Sequence, residues 1–320
     1  MNRVDYRGIF ETLFFEGKNL LTFIGIILVF SGIFIIAQSF IGEFLPHDTN
    51  YLGMNAQTLR SINPNIVNFM FHDRISFGGS IISIGTLYIW LSEFPLRLKE
   101  EWAWWTFFIS GFLGFAGFLT YLGYGYFDSY HGYSSLLLIL IFCIGLYKSY
   151  QSFDKRPSFC SLMSTGNKVN CKTKSGIGYL FIYLTSIGIA LGGLVVMGVG
   201  MTSVYVPQDL QYMSMCSGDF VKINPKLTPL IAHDRASFGG GLFSIGLTIF
   251  LIVKLSTPTK NLWQILLISL SVGFITSIGV HFLIGYLNFT HLAPAYLGAM
   301  MASVGLILTY KNMTETNERS

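Results

Sequence analysis

The chain has 320 residues, 52% hydrophobic and only 11% charged, with a net charge of +4 and a mean hydropathy of +0.56. Charged residues make up roughly a quarter of an ordinary soluble domain, so this balance excludes a soluble enzyme. The small positive charge sits in loops and is no nucleic-acid signal; the composition is that of an integral membrane protein.

Residues 1–19 carry Ile9, Phe10, Leu13 and Phe14 at helical spacing among charges, which predicts a short helix lying on the membrane surface. No cleavable signal peptide is expected, because the first apolar run lies behind this polar segment and is long enough to span. That run, Leu20 to about Gly42, is the first expected span. A polar segment follows from Glu43 to Arg74, then a second span from about Ile75 to Leu91. A charged loop with Glu93, Arg97, Lys99, Glu100 and Glu101 leads to Trp102, Trp104 and Trp105, which predict an interfacial belt. The third span is expected from about Thr106 to Tyr124. A tight turn, Gly125 to His131, precedes the fourth, from about Gly132 to Tyr147. The loop from Lys148 to Lys174 is long and basic. It holds Cys160 and Cys171 at a spacing that matches no zinc pattern. With Cys143 and Cys216 these form no disulfide framework, and free thiols are expected.

The order then recurs. A fifth span covers about Gly176 to Val204, a polar segment Tyr205 to Arg235, a sixth span Ala236 to Leu255 and a seventh Leu262 to about Ile284. The turn Gly285 to His291 precedes an eighth, Leu292 to about Tyr310, and a polar tail ends the chain. Five parts result: an interfacial segment 1–19, a first four-helix unit 20–150, a basic linker 151–175, a second unit 176–310 and a tail 311–320. The Lys/Arg bias puts both termini in the cytoplasm, with the long polar segments and the Gly-Tyr turns outside. A bacterial-type cytoplasmic membrane is the expected location.

The two units are copies. His72-Asp73-Arg74-Ile75-Ser76-Phe77-Gly78-Gly79 returns 161 positions later as His233-Asp234-Arg235-Ala236-Ser237-Phe238-Gly239-Gly240. At the same offset Asp48 matches Asp209, Tyr51 matches Tyr212, and Ile62-Asn63-Pro64 matches Ile223-Asn224-Pro225. After a one-residue gap, Gly125-Tyr126 matches Gly285-Tyr286 and His131 matches His291. Four spans per unit give both copies one orientation. The expected fold is therefore an all-α membrane protein of eight transmembrane helices, two tandem four-helix repeats related by a pseudo-two-fold axis along the membrane normal.

The motif has a structural reading. Asp73 and Asp234 are expected to cap the second and sixth spans, and the paired glycines to let another backbone approach closely. That leaves the recurring histidine and arginine unexplained. His72 with His131, and His233 with His291, are expected to face each other at the outer ends of two helices in each unit. Imidazole is the commonest metal ligand, so these four are the candidate metal ligands, for a metal ion or the axial positions of a haem. Asp73 and Asp234 would orient the rings or ligate directly. His72, Asp73, Arg74, His233, Asp234 and Arg235 are the candidate catalytic residues, the histidines as bases and the arginines as binders of a quinone or lipid head group. His281, about 15 Å deeper than His291 at 1.5 Å per residue, is expected to bond a neighbouring helix. Three functions follow: a metal or haem protein of membrane redox chemistry, a solute carrier of parallel repeats, or a structural or partner-binding subunit. The bilayer is the one partner all three share.

Overall fold

In a computed structural model, residues 8, 19–119, 126, 129–163 and 170–315 are described, the side chains of Phe118, Leu119, Ser129 and His131 excepted. The expected surface helix over residues 9–14 lies outside them.

The described chain is helical throughout. Helix α1 (Leu20–Ile41) starts where the Asn19 side chain accepts from the Leu21 and Thr22 amides, and stops at Gly42, whose φ of 79° a side chain would resist. The expected polar segment is itself folded, into α2 (Pro46–Leu52) and α3 (Ala56–Ile62). Next come α4 (Pro64–Leu91), a short π turn at Ser92–Leu96, α5 (Glu101–Leu119) and α6 (Ser129–Gln151). The second part runs α7 (Lys174–Met201), α8 (Pro207–Met213), α9 (Asp219–Ile223), α10 (Leu227–Leu255), α11 (Lys260–Ile284) and α12 (Phe289–Thr314).

Seven of these helices are long and apolar enough to cross a membrane: α1, α4, α6, α7, α10, α11 and α12. The chain is thus an all-helical membrane protein. The 19-residue α5 occupies the place of the expected third span but is not among the seven.

Helices α4 and α10 are the centre. Within their apolar windows 72% and 67% of residues are buried, against 22% to 33% in the other five. Such a gradient follows where only outer helices meet lipid. Each central helix lies on its own unit's first helix through glycine. Gly32 and Gly78 approach so closely that an added Cβ on Gly32 would fall 2.5 Å from the Gly78 carbonyl oxygen; one on Gly193 would fall 2.7 Å from that of Gly239. The close backbone approach expected of the motif glycines is observed, because van der Waals contact between backbones replaces the hydrophobic drive that lipid removes.

Three expectations are corrected. The motif does not sit at a helix entry: α4 begins at Pro64 and α10 at Leu227, so Asp73 and Asp234 lie two turns or more inside and cap nothing. The Asn63 side chain caps α4 instead. The tryptophans form no exposed belt. Trp102 and Trp104 are buried, and Trp104 Nε1 donates to the Leu146 carbonyl at 3.1 Å. The third is the eighth span's end: expected at about Tyr310, the helix continues into the tail as far as Thr314.

The two halves are tied by matched bonds. Asn63 Nδ2 donates to the Met213 carbonyl (2.8 Å), and Asn224 Nδ2 to the Leu52 carbonyl (2.7 Å). Ser83 Oγ donates to the Ser269 carbonyl and Ser244 Oγ to the Ser110 carbonyl, each at 2.9 Å. The repeated Ile-Asn-Pro thus holds one half to the other as well as starting a helix.

Candidate functional site

The motif side chains converge at the end of the bundle covered by α2, α3, α8 and α9. This end has its own apolar core, with Leu52, Leu59, Phe69, Met70, Phe220 and Leu230 buried, so the charges above it sit in a walled space.

Arg74 of α4 reaches across to α10, its Nε 2.8 Å from Asp234 Oδ2, and its Nη1 bonds Asp48 Oδ2 on α2 at 2.7 Å. Arg235 of α10 does the reciprocal. Its Nη1 bonds Asp209 Oδ2 on α8 at 2.5 Å and also donates to the Val204 carbonyl at 2.8 Å; its Nε lies 3.5 Å from Asp73 Oδ2. The remaining oxygens of the outer carboxylates are taken by phenols: Tyr126 donates to Asp48 Oδ1 (2.9 Å) and Tyr286 to Asp209 Oδ1 (2.8 Å). Arg235 is also stacked over Phe69, 4.8 Å from the ring centroid. The arginines are therefore internal ties and do not reach head groups. Pairing and hydrogen bonds of this kind are what offset the cost of taking charges out of water.

Outside the spans, burial raises the Tyr126 and Tyr286 hydroxyls, and the neighbouring Asp48 and Asp209 charges raise them further. Both phenols therefore stay protonated and donate. Burial alone would raise the Asp48 carboxyl; the Arg74 charge and hydrogen bond, with His47 and Tyr126, outweigh it and hold the group below its usual range.

The halves differ at the motif histidine. His72 Nδ1 lies 3.0 Å from Asp73 Oδ1, whereas His233 Nδ1 faces Ser237 Oγ at 3.4 Å and its ring lies 5.1 Å from that of Tyr126. Asp73 divides itself between His72 and Arg235. Its Oδ2 and the Ser76 Oγ one turn on are buried without a hydrogen-bond partner.

Around His72 stand two more histidines. His72 Nε2 is 3.0 Å from His281 Nε2, and the ring of His281 is 5.3 Å from that of His291. One nitrogen from each of His72, His281 and His291 lies within 4.8 Å of the others; the first two rings are buried and His291 is partly exposed. His291 joins His72 across the halves, His233 is not in this group, and the side chain of His131, the expected partner of His72, lies outside the described residues. His281, read as a lone helix-packing histidine, is the central member. Its depth hid it: the chain reverses between the end of α11 at Gly285 and the start of α12 at Phe289, which sets His291 beside His281, and a count along one helix does not show that.

Proton accounting sharpens the geometry. His281 Nδ1 is 2.7 Å from the Ser277 carbonyl, which only accepts, so Nδ1 carries the hydrogen. The Asp73 carboxylate requires the same of His72 Nδ1. In the neutral rings both Nε2 atoms then present lone pairs to each other at 3.0 Å. Such a contact repels unless a proton or a metal cation joins the two nitrogens. Imidazole–metal bonds of about 2.0–2.1 Å put two ligating nitrogens about 2.9 Å apart at a right angle and about 3.3 Å at the tetrahedral angle. Two axial haem ligands need about 4 Å with the macrocycle between, so this pair does not fit a haem and does fit a small ion. Four carboxyl groups face two guanidiniums in the cluster, so it accommodates an added cation more readily than an added anion.

No protein-family model, curated protein or solved structure matches the chain.

Proposed function

We propose that this is a metalloprotein of the cytoplasmic membrane, in which His72, His281 and His291 hold one transition ion for redox chemistry at the outer face. In this reading eight spans form two four-helix repeats about a pseudo-two-fold axis along the membrane normal, with both termini cytoplasmic. The crossed Arg–Asp, Asn–carbonyl and Ser–carbonyl ties support that symmetry. The observation that carries the function is the facing pair of Nε2 atoms, each ring fixed in its tautomer by an acceptor on Nδ1. Three neutral imidazoles suit iron, copper, nickel or zinc over magnesium or calcium. The partly exposed His291 leaves one side of the ion open for a fourth ligand. Asp73 orients His72, while Arg74 and Arg235 hold α4 and α10 at the spacing the site needs.

The test is elemental analysis of the detergent-purified protein, never exposed to chelator. About one equivalent of iron or copper per chain, lost in His72→Ala and in His281→Ala but kept in His233→Ala, is the expected result. Zinc alone would overturn the redox part. No metal above background would overturn the whole reading and favour a structural or partner-binding subunit, for which the reciprocal ties between halves also speak.

A further inference from the structure

Tyr286 lies between the end of α11 and the start of α12, within ring contact of the three histidines. Its ring stacks on that of His291, with 4.8 Å between centroids and 28° between planes. The His281 and His72 rings are 5.4 Å and 6.1 Å away. Tyr286 is 2% exposed, and its hydroxyl donates to Asp209 Oδ1 at 2.8 Å. Tyr212 of α8, partly exposed, stacks on it at 4.7 Å and 19°.

The first unit makes the same phenol–carboxylate bond in different surroundings. Tyr126 donates to Asp48 Oδ1 at 2.9 Å, so the bond by itself is an anchor of the clamp. The rings around it differ. Tyr126 meets Tyr51 edge-on, at 81°, and Lys226 sits over the Tyr51 ring, 5.2 Å from its centroid. The histidine ring beside Tyr126 is His233, which is not in the three-histidine group. In the second unit Asn65 takes the place of Lys226, at the offset of 161, and its Nδ2 bonds the Tyr212 carbonyl at 3.0 Å. A cation over a ring is held by the ring's electrons and opposes their removal. The second unit therefore carries a stacked, uncharged pair of phenols against the histidines, where the first has an edge contact under an ammonium.

The chemistry of a single ion gives this arrangement a use. A transition ion yields one electron at a time, whereas breaking the O–O bond of a peroxide to two water-level oxygens takes two. With no second donor, the other half of the peroxide leaves as a hydroxyl radical. A phenol touching the ligands supplies the second electron if its proton has an acceptor. Burial and the Asp209 charge keep Tyr286 protonated at rest, so its electron leaves together with the proton, and the carboxylate oxygen is already in place to take it. Tyr212 has no such base, because its hydroxyl bonds the Ile284 carbonyl at 3.0 Å. Oxidation therefore stops at Tyr286. Dioxygen needs four electrons, twice what the ion and one phenol supply.

We infer that Tyr286 is a second one-electron donor beside the ion and that the site's substrate is a peroxide, entering on the open side at His291. The inference rests on the proposed redox ion. In the step the O–O bond breaks, the reduced ion loses one electron and Tyr286 loses the other. The Tyr286 O–H bond breaks and Asp209 Oδ1 gains that proton. Two protons from solvent complete two waters from hydrogen peroxide. The products are the oxidised ion, the Tyr286 phenoxyl radical and protonated Asp209; one-electron reductants at the outer face restore the ion and the phenol.

The test mixes the purified, reduced protein in detergent with an equimolar amount of hydrogen peroxide, freezes it rapidly and records the electron paramagnetic resonance spectrum. The parent should show an organic radical whose splitting changes when its tyrosines carry deuterium. Tyr286→Phe should lose that signal at unchanged metal content, and Tyr126→Phe should keep it. Should Tyr286→Phe fold poorly, fluorotyrosine placed at position 286 alone should add fluorine splitting to the parent signal. Iron or copper bound with no tyrosine radical, a radical undiminished in Tyr286→Phe, or a signal without fluorine splitting would overturn the assignment of Tyr286 and leave the ion standing. Protein that holds zinc or no metal fails before peroxide is added, and overturns both readings.

Discussion

Asp73→Asn and Asp234→Asn are the same change at matched positions of the two halves, and the structure assigns them different effects. Asp73 Oδ1 sits 3.0 Å from His72 Nδ1, a ligand of the proposed ion; Asp234 binds Arg74, 2.8 Å from its Nε, and is no neighbour of that ion's three histidines in sequence. Removing a carboxylate that orients a metal-ligating histidine costs 10–100-fold in metal affinity, or about 1.4–2.7 kcal/mol. An asparagine oxygen can still accept from Nδ1, so Asp73→Asn should lie near the lower figure and Asp73→Ala near the upper. The fold should survive in both, because Arg235 keeps Asp209 and the Val204 carbonyl. Asp234→Asn should weaken the Arg74 tie and leave metal affinity near the parent's. The assay is equilibrium dialysis against a buffered free-metal series, with bound metal read by elemental analysis. Equal losses in the two variants, or none in Asp73→Asn, would refute the assignment of Asp73 as the orienting group.

The clamp itself should be pH-sensitive on the acid side. The Asp48 carboxyl is held below its ordinary 3.8, so its contribution is complete above that value and is lost as pH falls through the lower folded value. Thermal unfolding in detergent should therefore drop steeply below about pH 4, and Asp48→Asn should flatten that limb; an unchanged acid limb would count against the clamp. Arg74→Ala strands Asp48 and Asp234 together, both buried, and should cost about 3–5 kcal/mol in denaturant unfolding; a loss under about 1 kcal/mol, the range of an exposed pair, would mean the pair is solvated. The native cysteines test orientation. Cys160, Cys171 and Cys216 are exposed, the first two in the basic loop and the third between α8 and α9. An impermeant maleimide applied to intact cells should label Cys216 and spare Cys160 and Cys171; the opposite pattern would invert the topology.

Much of this architecture can be read from residue order alone. Lipid admits only helices and closed barrels, whose backbone bonds close internally, and apolar runs of about twenty residues suit only the helix, so they mark helices without tertiary information. The repeated His-Asp-Arg, Ile-Asn-Pro and Gly-Tyr segments mark the same end of the bundle as the described contacts do. Identity between two copies needs no structure to be seen. The roles of those residues are another matter. Asp73 reads as a cap because the polar segment before it reads as a loop; Pro64 and Leu227 start the helices earlier and carry Asp73 and Asp234 inside. Arg74 and Arg235 read as surface groups because their partners, Asp234 and Asp73, lie 160 residues away in one direction and 162 in the other. The histidine pairs read as local because sequence ranks neighbours by unit, whereas α4 packs on α11 of the other unit and takes His72 to His281.

What the sequence determined by itself is the class of fold, the recurrence of the His-Asp-Arg, Ile-Asn-Pro and Gly-Tyr motifs and the residue types they supply, since these depend on hydropathy and residue order. Only the tertiary structure decided which histidines meet and which carboxylate serves which arginine. Those facts are set by how helices from different halves cross, and crossing depends on small residues packing backbone to backbone, a contact that no local pattern encodes.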